Sequence, residues 1–586
     1  MQARVARFLS VLAVAALVVL PELVPAQQFD VLIRGGRIQD GSGNPWVYGD
    51  VGIRGDRIVV VGRLEGATAR RVIDARGKVV APGFIDLHSH ADDGGRSMSG
   101  LRADSSRRRA APNLVTQGIT TVVVNHDGRS PWPIAQQKAD IERLKIGPNA
   151  ILLVGHGTVR QRVMENDFRR AARTDEVDRM RALVRQGMTE GAWGLSAGLE
   201  YVPGRWSTTA EVVALAREIV PFGGVYISHE RSEGSDPMWY WPSQDPPGPP
   251  TLLDAVAETI EIGERTGATV VATHIKAKGA HYWGSSAAAI RLIEEARRRG
   301  VSVWADQYPY NTSGSDGSTV LIPDWVFEGP EGPQRAQGRQ RDFAQLLRAA
   351  LADSAIARKV RTDIAHEIRR RGGAENILIL EHRDSAAVGK MLSQLAAARN
   401  VPPVEMAIQM QFDGFADRRG GALVRGLSLS EYDIEPYAAQ PWVATATDGW
   451  ISMPEDGFTH PRVYGTFPRK LRRYALDRQV IAVEDAIRSS TSLPARILGL
   501  RERGLIQEGF YADVVVLDLE TIRDRSTFFE PHQYSEGVDY VLINGQVVVD
   551  GGKPTWALPG VVITPATNRR PAGTTGNGDG TERSQP

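Results

Sequence analysis

Eight short apolar or β-branched runs recur through the middle of this chain, at Val79–Leu87, Thr120–Val124, Ala150–Val154, Trp193–Leu199, Val225–Ser228, Thr269–Thr273, Val301–Ala305 and Val443–Thr447. Segments with helical periodicity, among them EVDRMRALVRQG, TAEVVALAREIV, LLDAVAETIEIGERTG and AIRLIEEARRRG, lie between several of them. Strands alternating with helices of this length predict parallel βα units, and eight such units predict a (β/α)₈ TIM-like barrel. One interval breaks the rhythm. From Tyr310 to Trp442 the chain is far longer than a βα connection and has its own helix-like stretch, RDFAQLLRAALADSAIARKVRTDIAHEI, and a strand-like ILILEH. It reads as an insertion between barrel strands seven and eight, over the mouth of the barrel, where long insertions cap or shape a pocket.

The two ends have a different character. FDVLIRGGRIQDGSG and DVGIRGDRIVVVGRL near the start, and ADVVVLDLE and VDYVLINGQVVVDGG near the finish, alternate apolar and polar residues around Gly-containing turns. That pattern predicts short antiparallel strands forming one small β-sandwich from both chain ends. Arg4 and Arg7, then an apolar run from Phe8 to Leu20, then Val24-Pro25-Ala26 read as an export signal, with an uncleaved anchor as the other reading. The run is short of the ~20 residues that a membrane span needs. The expected product is exported, periplasmic or secreted, without stable membrane association once the signal is cut. The chain thus divides into a signal (1–26), sandwich halves (27–77 and 501–564), a barrel (78–500) with an insertion (311–441), and a Gly/Thr/Pro-rich tail (565–586) expected to be disordered. Seventy Lys and Arg against 69 Asp and Glu, a formal charge of +1, exclude a nucleic-acid binder working through bulk electrostatics. There is no Cys, so an exported form has no disulfides and depends on core burial and any bound metal.

Ligand-type residues recur where the strand-like runs stop. The first run ends in His88-Ser89-His90, and alternate side chains of an extended segment share a face, so two imidazoles point the same way. The second ends in NHDG (His126, Asp127), the third in GHGTVR (His156), the fifth in SHER (His229), the sixth in THIKAKG (His274, Lys276) and the eighth in ATDG (Asp448). A single histidine of this kind is commonly a core residue satisfied by a carbonyl. Here six of the eleven histidines fall at strand ends, a donor set of imidazole and carboxylate that suits zinc or a similar divalent ion.

At this point the chain resembles the amidohydrolase superfamily, whose order is HxH and then His, His and Asp on strands one, five, six and eight. The segments APGFIDLHSHAD, GAWGLSAGLEYVPG, THIKAKG, HPRVYGTFPR and LPARILGLRERGLIQEGFYADVVVLD resemble its N-acyl-D-amino-acid deacylase (D-aminoacylase) branch, over about Phe29 to Gly552. The resemblance implies a metal cluster of His88, His90, His229, His274 and Asp448, holding one or two Zn2+ ions or another divalent metal. It also implies that Tyr201, Lys276 and Arg462 grip a free α-carboxylate, with Ser313 as a further candidate. The chain departs from the branch at strand two, where the family carries a cysteine ligand. Aligning the glycines puts Asp127 at that position, with His126 as the rival. The carboxylated lysine of the wider superfamily has no candidate in AWGLSAGLEY.

The implied reaction is metal-assisted hydrolysis of a small-molecule N-acyl-D-amino acid to a carboxylate and a free D-amino acid, with Asp448 as general base. Other readings are dipeptide or cyclic-amide hydrolysis, an esterase or lactonase on the same site, and a non-catalytic binding protein. The intact set of five superfamily ligands speaks against the last.

Overall fold

In the computed structural model the described residues are 28–92, 100–314, 320–327 and 342–568. The signal reading at 1–26 therefore lies outside them. So does most of the expected tail, except that 565–568 form a turn in which Asn568 Nδ2 donates to the Gly499 carbonyl at 2.9 Å.

Eight parallel barrel strands follow the predicted order: strand one is Phe84–Asp86, two Ile119–Val124, three Asn149–Leu152 continuing as Val154–Gly155, four Gly194–Gly198, five Val225–His229, six Thr269–Ala272, seven Val303–Gln307 and eight Val443–Thr445. Strand three bends at Leu153. Its first half pairs with strand two and its second half with strand four. A parallel bridge between Ser89 and Gly449 closes the ring, with Asp448 N–H donating to His88 O at 2.9 Å and His90 N–H to Gly449 O at 2.7 Å. Closure thus happens at the residues that carry the candidate ligands.

The intervening helices form where apolar residues recur at helical spacing. In Thr174–Thr189 the buried Met180, Val184 and Met188 lie four apart, on one stripe facing the barrel. In Leu252–Thr266, Thr251 and Asp254 form a capping box at the start, and Gly267 (φ 74°) takes the left-handed conformation that ends the helix.

The first apolar run divides between two domains. Val79–Pro82 pairs antiparallel with Val514–Leu517 in a nine-stranded sheet built from both chain ends, and only Phe84–Asp86 enters the barrel. The break falls at Gly83, where a Cβ would lie 2.3 Å from the Thr120 side chain. The nine-stranded sheet has its own core, including Ile33, Ile53, Ile58, Val514 and Leu542. Its hairpin at Asn544-Gly545 (φ 48° and 78°) uses the left-handed pair that a two-residue turn requires.

The insertion between strands seven and eight carries helices Phe343–Ala352, Ser354–Arg370, Leu392–Ala398 and Pro403–Asp413 and an antiparallel pair, Ile377–His382 with Ala422–Gly426. Leu347, Val360, Ile364, Ile379, Met406 and Val424 belong to a core of its own. It docks on the barrel mouth through the loop that follows strand five. Ser243 bonds to Asp363, and Arg370 Nη1 donates to Pro237 O at 2.9 Å.

Candidate metal centre

The carboxyl ends of the strands are turned inward by strained backbone. Asn125 (φ 73°), Asp127 (φ 56°), His274 (φ 38°) and Asp448 (φ 48°) are non-glycine residues in the left-handed region, a conformation held only where surrounding structure enforces it. The Asn125 amide supports the turn after strand two, donating to Gln137 Oε1 at 2.9 Å and to Leu153 O at 2.8 Å. Strand four comes so close to this turn that a Cβ on Gly198 would lie 2.3 Å from Asp127 O. No lysine stands on strand four, in line with the sequence.

These turns bring together His88, His90, Asp127, His229, His274 and Asp448. The groups form two triplets that share Asp127: His88 and His90 with Asp127, and Asp127 with His229 and His274. Asp127 Oδ2 faces His90 Nε2 at 3.6 Å, and Oδ1 lies 3.6 Å from His229 Nδ1 and 3.7 Å from His274 Nε2. The His88 and His90 Nε2 atoms are 3.2 Å apart, and His229 Nδ1 is 2.9 Å from His274 Nε2. Two nitrogens bound to one tetrahedral zinc at 2.0–2.1 Å stand about 3.3 Å apart, so the first pair is already at ligand spacing and the second is near it. Buried Asp127 Oδ1 accepts no hydrogen bond, an orphaned anion oxygen between two imidazole pairs. The donor set fits a divalent ion in either triplet.

Partners fix the ring orientations. Thr273 Oγ1 donates to Asp306 Oδ2 at 2.6 Å, so His88 Nδ1–H donates to Thr273 Oγ1 at 2.7 Å and its Nε2 lone pair faces the centre. His229 Nε2 is 3.0 Å from Glu200 Oε2. Burial, with His126 and His274 nearby, holds the His88 pKa well below the usual imidazole range. Burial opposes charge on His229, but Glu233 and Asp127 outweigh it and raise its pKa to about 10. Burial pushes the carboxyls of Asp86 and Asp306, which lie beneath the centre, up to about 7.

His126, the rival to Asp127, is outside both triplets. It stacks on His88 (centroids 3.9 Å apart, planes 15° apart), both its nitrogens lack partners, and burial lowers its pKa to about 3. His156 is also outside: its Nε2 pairs with Glu211 at 2.9 Å, in a buried network with Arg160, while its Nδ1 has no hydrogen-bond partner.

Asp448 bridges the metal and substrate sides. Its Oδ1 is 2.9 Å from His90 Nε2, and its Oδ2 is 2.8 Å from Arg462 Nη1. Burial would raise its pKa, but Arg462 and His90 hold it at about 2. Arg462 is 3% exposed, and its Nε and Nη1 make no hydrogen bond, since the contact with Asp448 is an ion pair off the hydrogen-bonding angle. Its guanidinium carbon lies 4.7 Å from the Tyr308 ring centre, and Tyr308 Oη, also buried, has no partner. Lys276 Nζ pairs with Glu233 and lies 2.8 Å from His274 Nδ1. Tyr201 packs on the His229 ring at 4.2 Å, and Ser313 is buried beside Gly314, the residue whose backbone abuts the Arg462 guanidinium. Three residues of this site did not stand out in the sequence: Glu200, Glu233 and Tyr308. Glu200 precedes Tyr201 inside GLEYVPG, Glu233 follows His229 by four, and Tyr308 opens YPY.

A barrel with two histidine pairs around one carboxylate at its carboxyl-terminal face, closed by an aspartate on strand eight, defines a metal-dependent amidohydrolase. The Amidohydrolase family model matches residues 71–219 and 342–549, and the chain belongs to that family. It is 31% identical over 551 residues to a D-aminoacylase of Alcaligenes xylosoxydans xylosoxydans, covering 89% of this chain and 95% of that one. A solved D-aminoacylase structure described for its binuclear metal centre superposes with a TM-score of 0.68 at 30% identity, covering 92% of this chain and all of that one. The N-acyl-D-glutamate deacylase of Bordetella bronchiseptica, solved with zinc and a phosphonate that mimics the tetrahedral intermediate, superposes with the same score at 29% identity, covering 92% and 99%.

Proposed function

We propose that this chain hydrolyses the amide bond of N-acyl-D-amino acids, with Zn2+ as the metal, releasing a carboxylate and a free D-amino acid. The observation that carries the substrate reading is Arg462: a buried guanidinium whose Nε and Nη1 make no hydrogen bond, Nη1 being ion-paired with Asp448, next to the base and the histidine triplets. A buried cation of this kind matches a carboxylate held beside the scissile amide. The D-configuration rests on the D-aminoacylase and N-acyl-D-glutamate deacylase likenesses.

A divalent ion held by the two triplets would supply an acidified water and polarise the acyl carbonyl. Asp448 takes the proton from water as its oxygen adds to the acyl carbon, and returns it to the amide nitrogen as the C–N bond breaks. Its low pKa keeps it ionised and ready to accept. Arg462, Tyr308 and Lys276 orient the α-carboxylate, and Tyr201 and Ser313 line the same space. For Lys276 to engage substrate, its pairing with Glu233 has to be shared or exchanged. Export by the signal read at 1–26 is part of this proposal: outside the cytoplasm, N-acylated D-residues from the medium or cell-wall turnover would be the source of substrate. No helix among the described residues is long and apolar enough to cross a membrane.

The test is metal analysis of the purified protein, with turnover of paired N-acetyl-D- and N-acetyl-L-amino acids and of amides lacking the α-carboxylate. Metal-dependent turnover of the D-acids alone is expected. A metal-loaded protein that prefers the L-acids or the neutral amides refutes the reading.

A further inference from the structure

Glu200 is 4% exposed and spends both carboxylate oxygens. Oε2 lies 3.0 Å from His229 Nε2, and Oε1 accepts the Met238 N–H at 2.6 Å. The two contacts join different parts of the molecule. His229 belongs to the second triplet, with Asp127 and His274. Met238 opens the Met-Trp-Tyr-Trp segment of the loop after strand five, and the insertion grips that loop from the other side: His366 Nε2 is 3.1 Å from Asp236 Oδ1, and Arg370 Nη1 bonds Pro237 O at 2.9 Å.

An ionised carboxylate is an acceptor only, so the His229 nitrogen facing it carries the proton. That nitrogen is Nε2, so Nδ1, the atom facing Asp127 Oδ1 and His274 Nε2, is the one that gives up its proton and presents a lone pair when an ion binds. The first triplet presents the opposite nitrogen of His88, Nε2, because Nδ1 is engaged by Thr273. Nothing intrinsic to an imidazole makes this choice, and each ring needs its own acceptor.

We propose that Glu200 is a positioning residue that serves two ends with one carboxylate: it selects the His229 tautomer that can bind an ion through Nδ1, and it ties the aromatic loop, seated on the insertion, to that ligand. The inference rests on the metal-dependent reading of the site and not on the choice of substrate.

Two variants separate the two functions. In Glu200→Gln the amide oxygen still accepts from Met238 N–H, while the NH2 group faces His229 Nε2 as a donor and favours the tautomer protonated on Nδ1. Zinc affinity, measured by competition with a chelator without substrate, should fall about 10- to 100-fold. Hydrogen exchange of the Met238 amide should remain protected. In Glu200→Ala both should be lost. Glu200→Gln with wild-type zinc affinity would overturn the tautomer role and leave a merely structural bolt. Glu200→Ala with an unchanged Met238 exchange rate would overturn the tie to the loop. A wild-type protein that takes up no metal would instead sink the metal-dependent reading itself, so the two failures are distinguishable.

Discussion

Replacing Arg462 by Met tests the substrate reading where the structure makes it most exposed to failure. Methionine keeps an unbranched apolar stem in a site that is 3% exposed, so packing is largely retained while the guanidinium goes. Two losses follow. The α-carboxylate of an N-acyl amino acid is left desolvated and unpaired, which costs about 2–5 kcal/mol. At 1.36 kcal/mol per decade this is roughly 30- to 5,000-fold in kcat/KM. Asp448 also loses the cation 2.8 Å from its Oδ2, which lets its pKa rise and removes one of the groups that hold its carboxylate, a change that every substrate meets. The second loss is common to all acyl compounds, so it cancels when the variant-to-wild-type ratio for an N-acyl-D-amino acid is divided by the ratio for its neutral amide. The assay is therefore kcat/KM for both compounds on both proteins at matched metal content. The quotient should show at least a 30-fold selective loss, at the low end of the range above. A quotient near one would mean that Arg462 serves Asp448 alone, and the carboxylate grip would have to be sought elsewhere.

Asp448→Asn should keep its metal but lose at least ~100-fold in kcat, because an amide cannot take the water's proton; retention of more than about 5% of turnover would remove Asp448 from the role of base. Asp127→Ala should lower metal content and activity more than His126→Ala does, since only Asp127 belongs to both triplets; the reverse ranking by metal analysis would make His126 the ligand. Lys470 is a buried cation donating to Thr445 Oγ1 at 2.8 Å, its pKa lowered to about 7 by burial and by Arg488. The unfolded chain holds this proton up to its ordinary pKa near 10.5, so between about pH 7 and 10.5 the native state has shed a proton that the unfolded state keeps, and stability rises with pH there. Lys470→Met should raise stability at pH 6–7 by a few kcal/mol, at about 1.4 kcal/mol per pKa step, and flatten that slope; unchanged denaturation midpoints across the range would show that the lysine is not buried as a cation.

How far the molecule could be read from its sequence depended on range. The barrel strands were legible because a fully buried parallel strand is a short apolar run, and the ligands because alternate residues of an extended segment, such as His88 and His90, share a face. The division of Val79–Leu87 between two domains was not legible. Both halves are equally apolar, and only the packing of Gly83 against Thr120 shows where the chain crosses. Glu233 looks like any loop carboxylate until Lys276 and His274, from strand six, are beside it. His126 and Asp127 are neighbours in a four-residue motif. Composition cannot rank them, because what separates them is the left-handed backbone at Asp127, which sends one side chain into the centre and leaves the other stacked on His88.

That backbone ties the centre to the fold. Left-handed conformations at Asn125, Asp127, His274 and Asp448 cost roughly 1–3 kcal/mol each, and they persist because barrel hydrogen bonds enforce them. Asp448 N–H bonds to His88 O across the closure, His274 N–H to Asp306 Oδ1 at 2.7 Å, and the Asn125 amide to Leu153 O where strand three bends. Each bond joins neighbouring strands and aims a ligand or supports the turn that does. Asp306 is the clearest case, because the same carboxylate holds the His274 backbone and, through Thr273, orients the His88 ring. The two triplets, though their histidines come from different strands, are therefore set by one hydrogen-bonded floor, and a lesion in that floor displaces ligands of both at once.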